Sequence, residues 1–212
     1  MTIQSKVPMT ALILAGGKSS RMGCDKALLK FGDETNLEDL VQLTTSIFSE
    51  TFIIANQNKN YQDLNLRGAV IFHDFWEYKG PLVGLYMGLS YSTHQVNCVL
   101  TCDMPLVDAP LLRELAAFWQ EGYDAVCPQD SDGRLQPFPG IYSRSSRYFI
   151  RLLLDRGETA MKRLFEVLVI RSLVLGEKES EVLINMNTPE EYKLISERKK
   201  EVRNEIEKPI SS

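Results

Sequence analysis

Short apolar runs punctuate this chain, each cut off by glycine or polar residues. Met9–Ala15, Thr51–Ala55, Ala69–Phe72 and Asn97–Cys102 are nearly continuous in apolar character, as expected of strands buried on both faces. Ala125–Cys127, Phe138–Tyr142, Leu168–Leu175 and Val182–Ile184 read as further short strands. Between them the period changes. Residues 37, 40, 41, 43, 47 and 48 are apolar at close to helical spacing, which predicts a helix over Leu37–Ile47 with Thr35 or Asn36 as its cap. Gly80-Pro81 opens a second helix through about Ser92, on which Gly84 and Gly88 share one face. Pro110 sits in the first turn of a third, Ala109 to about Gln120, with Asp108 as its cap. Ser143–Leu154 and Thr159–Glu166 read as two helices parted at Gly157, and Thr188-Pro189-Glu190-Glu191 opens a last one. Beyond about Lys199 the chain is charged and weakly patterned, so residues 201–212 are expected to be a flexible tail.

Strands alternating with helices predict an α/β fold: a mostly parallel, twisted sheet with helices on both faces. No repeat or low-complexity linker interrupts it, so residues 1–200 read as a single domain. Such sheets bind ligands beyond the carboxyl ends of their strands. The residues that follow the runs are accordingly polar and chemically coherent: Gly16-Gly17, Asn56, Asp74, Asp103, Asn185 and Asn187.

Composition narrows the class. The 212 residues are 44% hydrophobic, enough for a full core, and no segment approaches the roughly 18 uninterrupted apolar residues of a spanning helix. The first residues lack the apolar core of an export signal. The four cysteines form no C-x-x-C pair and only two histidines are present, which suits reduced thiols in a cytoplasmic protein. A net charge of −4 argues against a general nucleic-acid binder. Any polyanion has to be met by a local patch.

That patch is Leu12–Lys26, LILAGGKSSRMGCDK. An apolar run that breaks at paired glycines lets the backbone approach a ligand and turn its N–H groups toward an anion. Arg21 and Lys26 follow and can neutralise phosphate, whereas Lys18 is read as solvent-exposed or peripheral. The spacing is neither that of the P-loop nor of the dinucleotide fingerprint. An ordinary strand–loop turn with solvated charges is the alternative. Asp103 is the second chemical landmark. It ends a run that should be buried, just before Met104-Pro105, and a carboxylate there needs a partner such as a metal ion. It could instead cap the following helix, although Asp108 is better placed for that. Asn187 offers an amide to metal or phosphate, or forms an Asx turn ahead of the last helix. His73 is read as a loop histidine.

Leu14–Lys26 (L-A-G-G-x-x-x-R-M-G-x-D-K) resembles the signature loop of nucleotidyltransferases with a GT-A-like fold, and most closely that of molybdenum cofactor guanylyltransferases. Cys102-Asp103-Met104-Pro105, Gly80-Pro81-Leu82 and Asn185–Glu190 fall on further motifs of that family. The resemblance implies transfer of GMP from GTP to molybdenum-bound molybdopterin with Mg²⁺ as cofactor. It implies a nucleotide-binding half over about 9–107 and an acceptor half over about 108–198. It makes Arg21, Lys26 and Asp103 catalytic. Leu14, Ala15, Gly16, Gly17, Lys26, Asn56, Asp74 and Asp103 would contact GTP, and Asp103 and Asn187 the metal. Partners would be molybdoenzyme chaperones and other proteins of cofactor synthesis. Arg134 and Gln136–Tyr142 resemble the acceptor side, where Pro139-Gly140 departs from the family pattern. A related enzyme using CTP or another acceptor, and a GTP-binding module without turnover, are the competing readings.

Overall fold

Val7–Leu14 forms β1, whose last six residues are all buried. The structure is a computed structural model that describes residues 5–16, 23–74 and 80–206, with only the backbone of Asp74 and of residues 201–206. The remaining strands are β2 (Phe48–Asn56), β3 (Val70–Asp74), β4 (Val96–Thr101), β5 (Ala125–Gln129), β6 (Gly140–Ser143) and β7 (Ile170–Val174). They make a seven-stranded sheet in the order β3-β2-β1-β4-β6-β5-β7. Neighbours are parallel except that β6 runs antiparallel to both β4 and β5. The helices are α1 (Asn36–Ile47), α2 (Pro81–Tyr91), α3 (Ala109–Phe118), α4 (Ser146–Asp155), α5 (Met161–Phe165), α6 (Glu177–Ser180) and α7 (Pro189–Ile206). α1 packs beside α3, and α2 beside α4, which gives a helix layer on each face. This is the expected mostly parallel α/β architecture.

Local chemistry explains the element ends. Thr35, not Asn36, caps α1. Its hydroxyl accepts from Glu38 N, and the Glu38 carboxylate accepts from Thr35 N at 2.8 Å, a reciprocal capping box. These bonds, first among them the Thr35 backbone bond, hold the Glu38 carboxyl below the usual carboxylate range. Asp108 caps α3 by accepting from Leu111 N at 3.0 Å. The two glycines of α2 face the sheet: a Cβ on Gly88 would lie 2.8 Å from Leu12 Cδ1, and one on Gly84 3.4 Å from Leu14 Cδ2. Packing therefore accounts for Gly88.

The sequence pattern misleads in two places. Val182–Ile184 is not a strand. Glu179 bonds back to Gly176 N at 2.8 Å and starts a helical turn, so α6 passes into a 3₁₀ turn over Glu181–Leu183 with Leu183 as its buried anchor. His73 lies in β3, paired in register with Ala55, rather than in a loop. The backbone of the last helix runs from Pro189 to Ile206. Its start is pinned by Met186 and Ile195 packing on Phe31. Lys199 bonds Asp39 at 2.8 Å and lies 4.3 Å from the Phe31 ring centre. Residues 207–212 lie outside the described residues.

Cys98, Cys102 and Cys127 are free and buried, and Cys24 is free and exposed. Burial pushes the Cys127 thiol up to about 12 and raises Cys98 and Cys102 further, so all three stay protonated. Among the described residues, no helix is long and apolar enough to cross a membrane.

Candidate active site

Leu14 of β1 pairs directly with Ile54 of β2 on one side and Thr101 of β4 on the other, while Asn56 pairs with Asp74 of β3. Four parallel strands thus deliver their carboxyl ends to one rim. Two bonds carry the ladder past the strands: Ala15 N to Ile54 O at 2.9 Å, and Cys102 N to Leu14 O at 3.4 Å. Gly16 and Asp103 each lie two residues beyond a directly paired position, so the glycine loop and the carboxylate meet at neighbouring strand ends.

At this rim Gly16 is exposed, whereas Leu14 and Ala15 are buried. The polar groups of Ala15 are already used: its N–H by Ile54 O, and its carbonyl by the Tyr61 hydroxyl at 3.1 Å. Gly16, next along the loop, is exposed at the rim. Its lack of a side chain has a definite cause. A Cβ would overlap Asn56 Oδ1 and lie 3.0 Å from Asn56 Cγ and 3.3 Å from Asn56 N. The last residue of β2 closes directly onto the loop. Gly16→Ala is expected to cost about 1–3 kcal/mol by overpacking. Denaturant titration checks this, and Asn56→Ala in the double variant should return most of the loss.

The far arm of the loop returns to the same rim. Asp25 caps a 3₁₀ turn over Lys26–Leu28 by accepting from Ala27 N at 3.1 Å. Its other oxygen lies 2.7 Å from Lys59 Nζ and 3.0 Å from the Tyr61 hydroxyl. Tyr61 is 3% exposed, and burial first, then the Asp25 charge, push its phenol well above the ordinary value. Lys26, next in sequence, sends its ammonium to Asn187 Oδ1 at 2.8 Å. Asn187 is held in turn. The Glu191 carboxylate accepts from the N–H groups of Asn187 and Thr188, and Thr188 Oγ1 accepts from Glu191 N at 3.2 Å. Thr188 is the expected cap of α7, and Asn187 is fixed just ahead of it.

Asp103 is half-buried, and its Oδ1 accepts from the Thr101 hydroxyl. Its carbonyl accepts from Met186 N at 2.7 Å, which brings the 185–187 segment against the end of β4. The structure therefore gathers Gly16, Lys26, Asn56, Asp103 and Asn187 at one end of the sheet, with the Asp74 backbone beside Asn56. Gly17, Lys18 and Arg21 lie outside the described residues, and so does the Asp74 side chain. Asn36, Lys59, Tyr61 and Thr101 carry no local sequence signal for the site and were missed. Asp25 stands in the signature motif but had no role there. Among the described residues, no three or more His, Cys, Asp or Glu side chains are grouped to hold a metal ion. Asp103 and Asn187 each carry hard side-chain oxygen, the donor type that Mg²⁺ accepts together with phosphates.

In the segment expected to face the acceptor, the Asp130 carboxylate accepts from Arg134 N and Gln136 Nε2, each at 2.8 Å, and these bonds lower its pKa. The Arg134 side chain stays exposed. A Cβ on Gly140 would lie 2.8 Å from Pro137 O and 2.9 Å from Tyr142 Cε2. The departure Pro139-Gly140 thus makes room for the buried Tyr142 ring, whose hydroxyl donates to Pro137 O at 2.7 Å.

The family profile described as the MobA-like NTP transferase domain matches residues 11–174, which hold the glycine loop, Asp103 and the sheet through β7. The chain belongs to that family. A probable molybdenum cofactor guanylyltransferase of Carboxydothermus hydrogenoformans is 34% identical over 189 residues, covering 87% of this chain and 93% of the relative. A protein of the same description from Clostridium perfringens is 30% identical over 204 residues, covering 92% of this chain and 100% of the relative. Among solved structures, molybdopterin-guanine dinucleotide biosynthesis protein A from Archaeoglobus fulgidus superposes with a TM-score of 0.75 at 21% identity. That match covers 93% of this chain and 100% of the other, and shows the shared fold.

Proposed function

We propose that this MobA-like transferase moves GMP from GTP to molybdenum-bound molybdopterin, forming molybdopterin guanine dinucleotide and releasing pyrophosphate. One observation carries the reading: the exposed Gly16, the Lys26–Asn187 pair and the Asp103 carboxylate share one rim in a chain whose relatives are described as guanylyltransferases. A terminal phosphate oxygen of the acceptor attacks the α-phosphorus of GTP, and the bond to the pyrophosphate oxygen breaks. That nucleophile is already ionised at neutral pH, so no strong general base is needed. The buried, protonated Cys102 thiol is not asked to act. Catalysis is then positioning and charge neutralisation.

In this reading Gly16 turns its N–H to the phosphates, with Leu14 and Ala15 shaping the floor and Asn56 facing the nucleoside, and Gly17 and Asp74 are assigned to GTP by the likeness of their motifs to the family's. Lys26 presents a compact charge to the phosphates, aimed by Asn187, and Arg21 meets the charge that develops at the α-phosphate. Asp103 would hold Mg²⁺, and Asn187 could join it through the second lone pair of Oδ1. Held there, Mg²⁺ would supply positive charge to the triphosphate oxygens. Residues 1–200 act as one domain, with the nucleotide over about 9–107 and the acceptor over about 108–198. The reaction belongs to the cytoplasm, with delivery to molybdoenzymes through their chaperones.

The test is product formation from molybdenum-loaded molybdopterin with Mg²⁺ and each nucleoside triphosphate in turn. Molybdopterin guanine dinucleotide and pyrophosphate should form in equal amounts from GTP. Turnover with CTP alone would overturn the guanylyl assignment, and GTP binding without turnover with any acceptor would leave a binding module.

A further inference from the structure

Asn36 is 0% exposed, and its side-chain amide stands between the two segments that carry the cation and the carboxylate of the site. Its Nδ2 lies 2.7 Å from Cys102 O and 3.2 Å from Lys26 O. An amide NH₂ has two hydrogens, enough for both carbonyls. Cys102 O belongs to the peptide that leads into Asp103, and Lys26 O to the peptide that leaves Lys26. The peptide on the other side of Asp103 is held as well, by Met186 N on Asp103 O at 2.7 Å. Both peptide planes that flank Asp103 are therefore fixed, and with them the direction in which its Cβ leaves the backbone.

The amide is mounted firmly. Asn36 is the first residue of α1, behind the Thr35–Glu38 capping box, and its own N–H donates to Leu29 O at 2.7 Å. Neither bond of the cap uses the Asn36 side chain. Burial of this amide is costly, because its Oδ1 finds no partner among the described residues. A leucine of similar size would remove that cost. The two donor bonds are what the amide supplies in return.

We propose that Asn36 is a positioning residue: by tying the Cys102–Asp103 peptide to the Lys26 turn, it aims the Asp103 carboxylate at the divalent cation that accompanies the nucleotide. This rests on the GTP–Mg²⁺ reading above. It predicts a defect in metal coupling rather than in nucleotide binding itself, since Lys26 keeps its second anchor on Asn187.

The experiment measures dissociation constants of the fluorescent analogue mant-GTP, with and without Mg²⁺, for the full-length protein, Asn36→Leu and Asn36→Ser. Thermal unfolding is followed in parallel. In the unaltered protein Mg²⁺ should tighten mant-GTP. In Asn36→Leu that tightening should shrink by about tenfold or more, the size expected when a partner that supports a metal ligand is lost. Metal-free affinity should stay the same, and Asn36→Ser, a shorter donor, should fall between. Full Mg²⁺ tightening in Asn36→Leu would overturn the proposal and leave the GTP reading intact. Loss of cooperative unfolding in both variants would make Asn36 merely structural and overturn it too. If Mg²⁺ has no effect on mant-GTP binding to the unaltered protein, the GTP–Mg²⁺ reading itself fails and takes this one with it.

Discussion

Asp103→Asn should lower the rate of GMP transfer by about 10³-fold, at the upper end of what removing one preorganised charge-stabilising group costs. The variant keeps the shape of the side chain and an oxygen that can accept from the Thr101 hydroxyl. What it removes is the negative charge at the end of β4, and hence the attraction for a hard dication. The half-buried side chain is not part of the apolar core, so the melting temperature should change little. Steady-state assays over a range of Mg²⁺ concentrations, alongside thermal unfolding, provide the check. A variant that transfers GMP at the original rate would remove Asp103 from the chemistry.

Lys26→Ala is the second large effect, about 10²-fold in kcat/KM. Among the described residues the ammonium bonds Asn187 Oδ1 at 2.8 Å, and that partner is held by the first turn of α7. Lys26 is thereby aimed rather than merely present, which is what charge stabilisation without reorganisation requires. Asn187→Ala should weaken transfer through the same pathway but less severely, because the charge survives while its aim is lost. The double variant should therefore be little worse than Lys26→Ala alone, since residues in direct contact are not additive. A double-mutant cycle on kcat/KM measures this. Additive losses would mean that Asn187 reaches the ligand independently of Lys26.

The two effects bear on why the far end of the chain matters to a site built on its first strand. Met186 N bonds to Asp103 O and Asn187 Oδ1 to Lys26, with Asn187 held by Glu191 of α7, while Phe31 packs with Met186 and Ile195 in a small cluster of its own. The segment that opens the last helix thus packs against the rim formed by the first four strands, although it comes last in sequence.

Sequence alone determined the strands, the helices that join them, and the rule that chemistry collects after each apolar run. Those features are local. A buried parallel strand must be apolar throughout, a helix must repeat its apolar face, and a loop that carries phosphate needs glycine and nearby cations. Gly16, Lys26, Asp103 and Asn187 were legible for that reason, each beside a pattern of its own. What only the tertiary structure decided depends on distance between residues far apart in the chain. The antiparallel seat of β6 between β4 and β5 is a matter of pairing partner, which periodicity does not encode. Val182–Ile184 looked like a strand because three apolar-rich residues cannot reveal whether a neighbouring strand exists to bond them. Asp25 gained its role from Lys59 and Tyr61, more than thirty residues away. Asn36 gained its role from Cys102, a separation of 66 residues. A hydrogen bond across such a gap leaves no trace in either local segment, since an asparagine that starts a helix looks the same whether it faces water or holds two carbonyls.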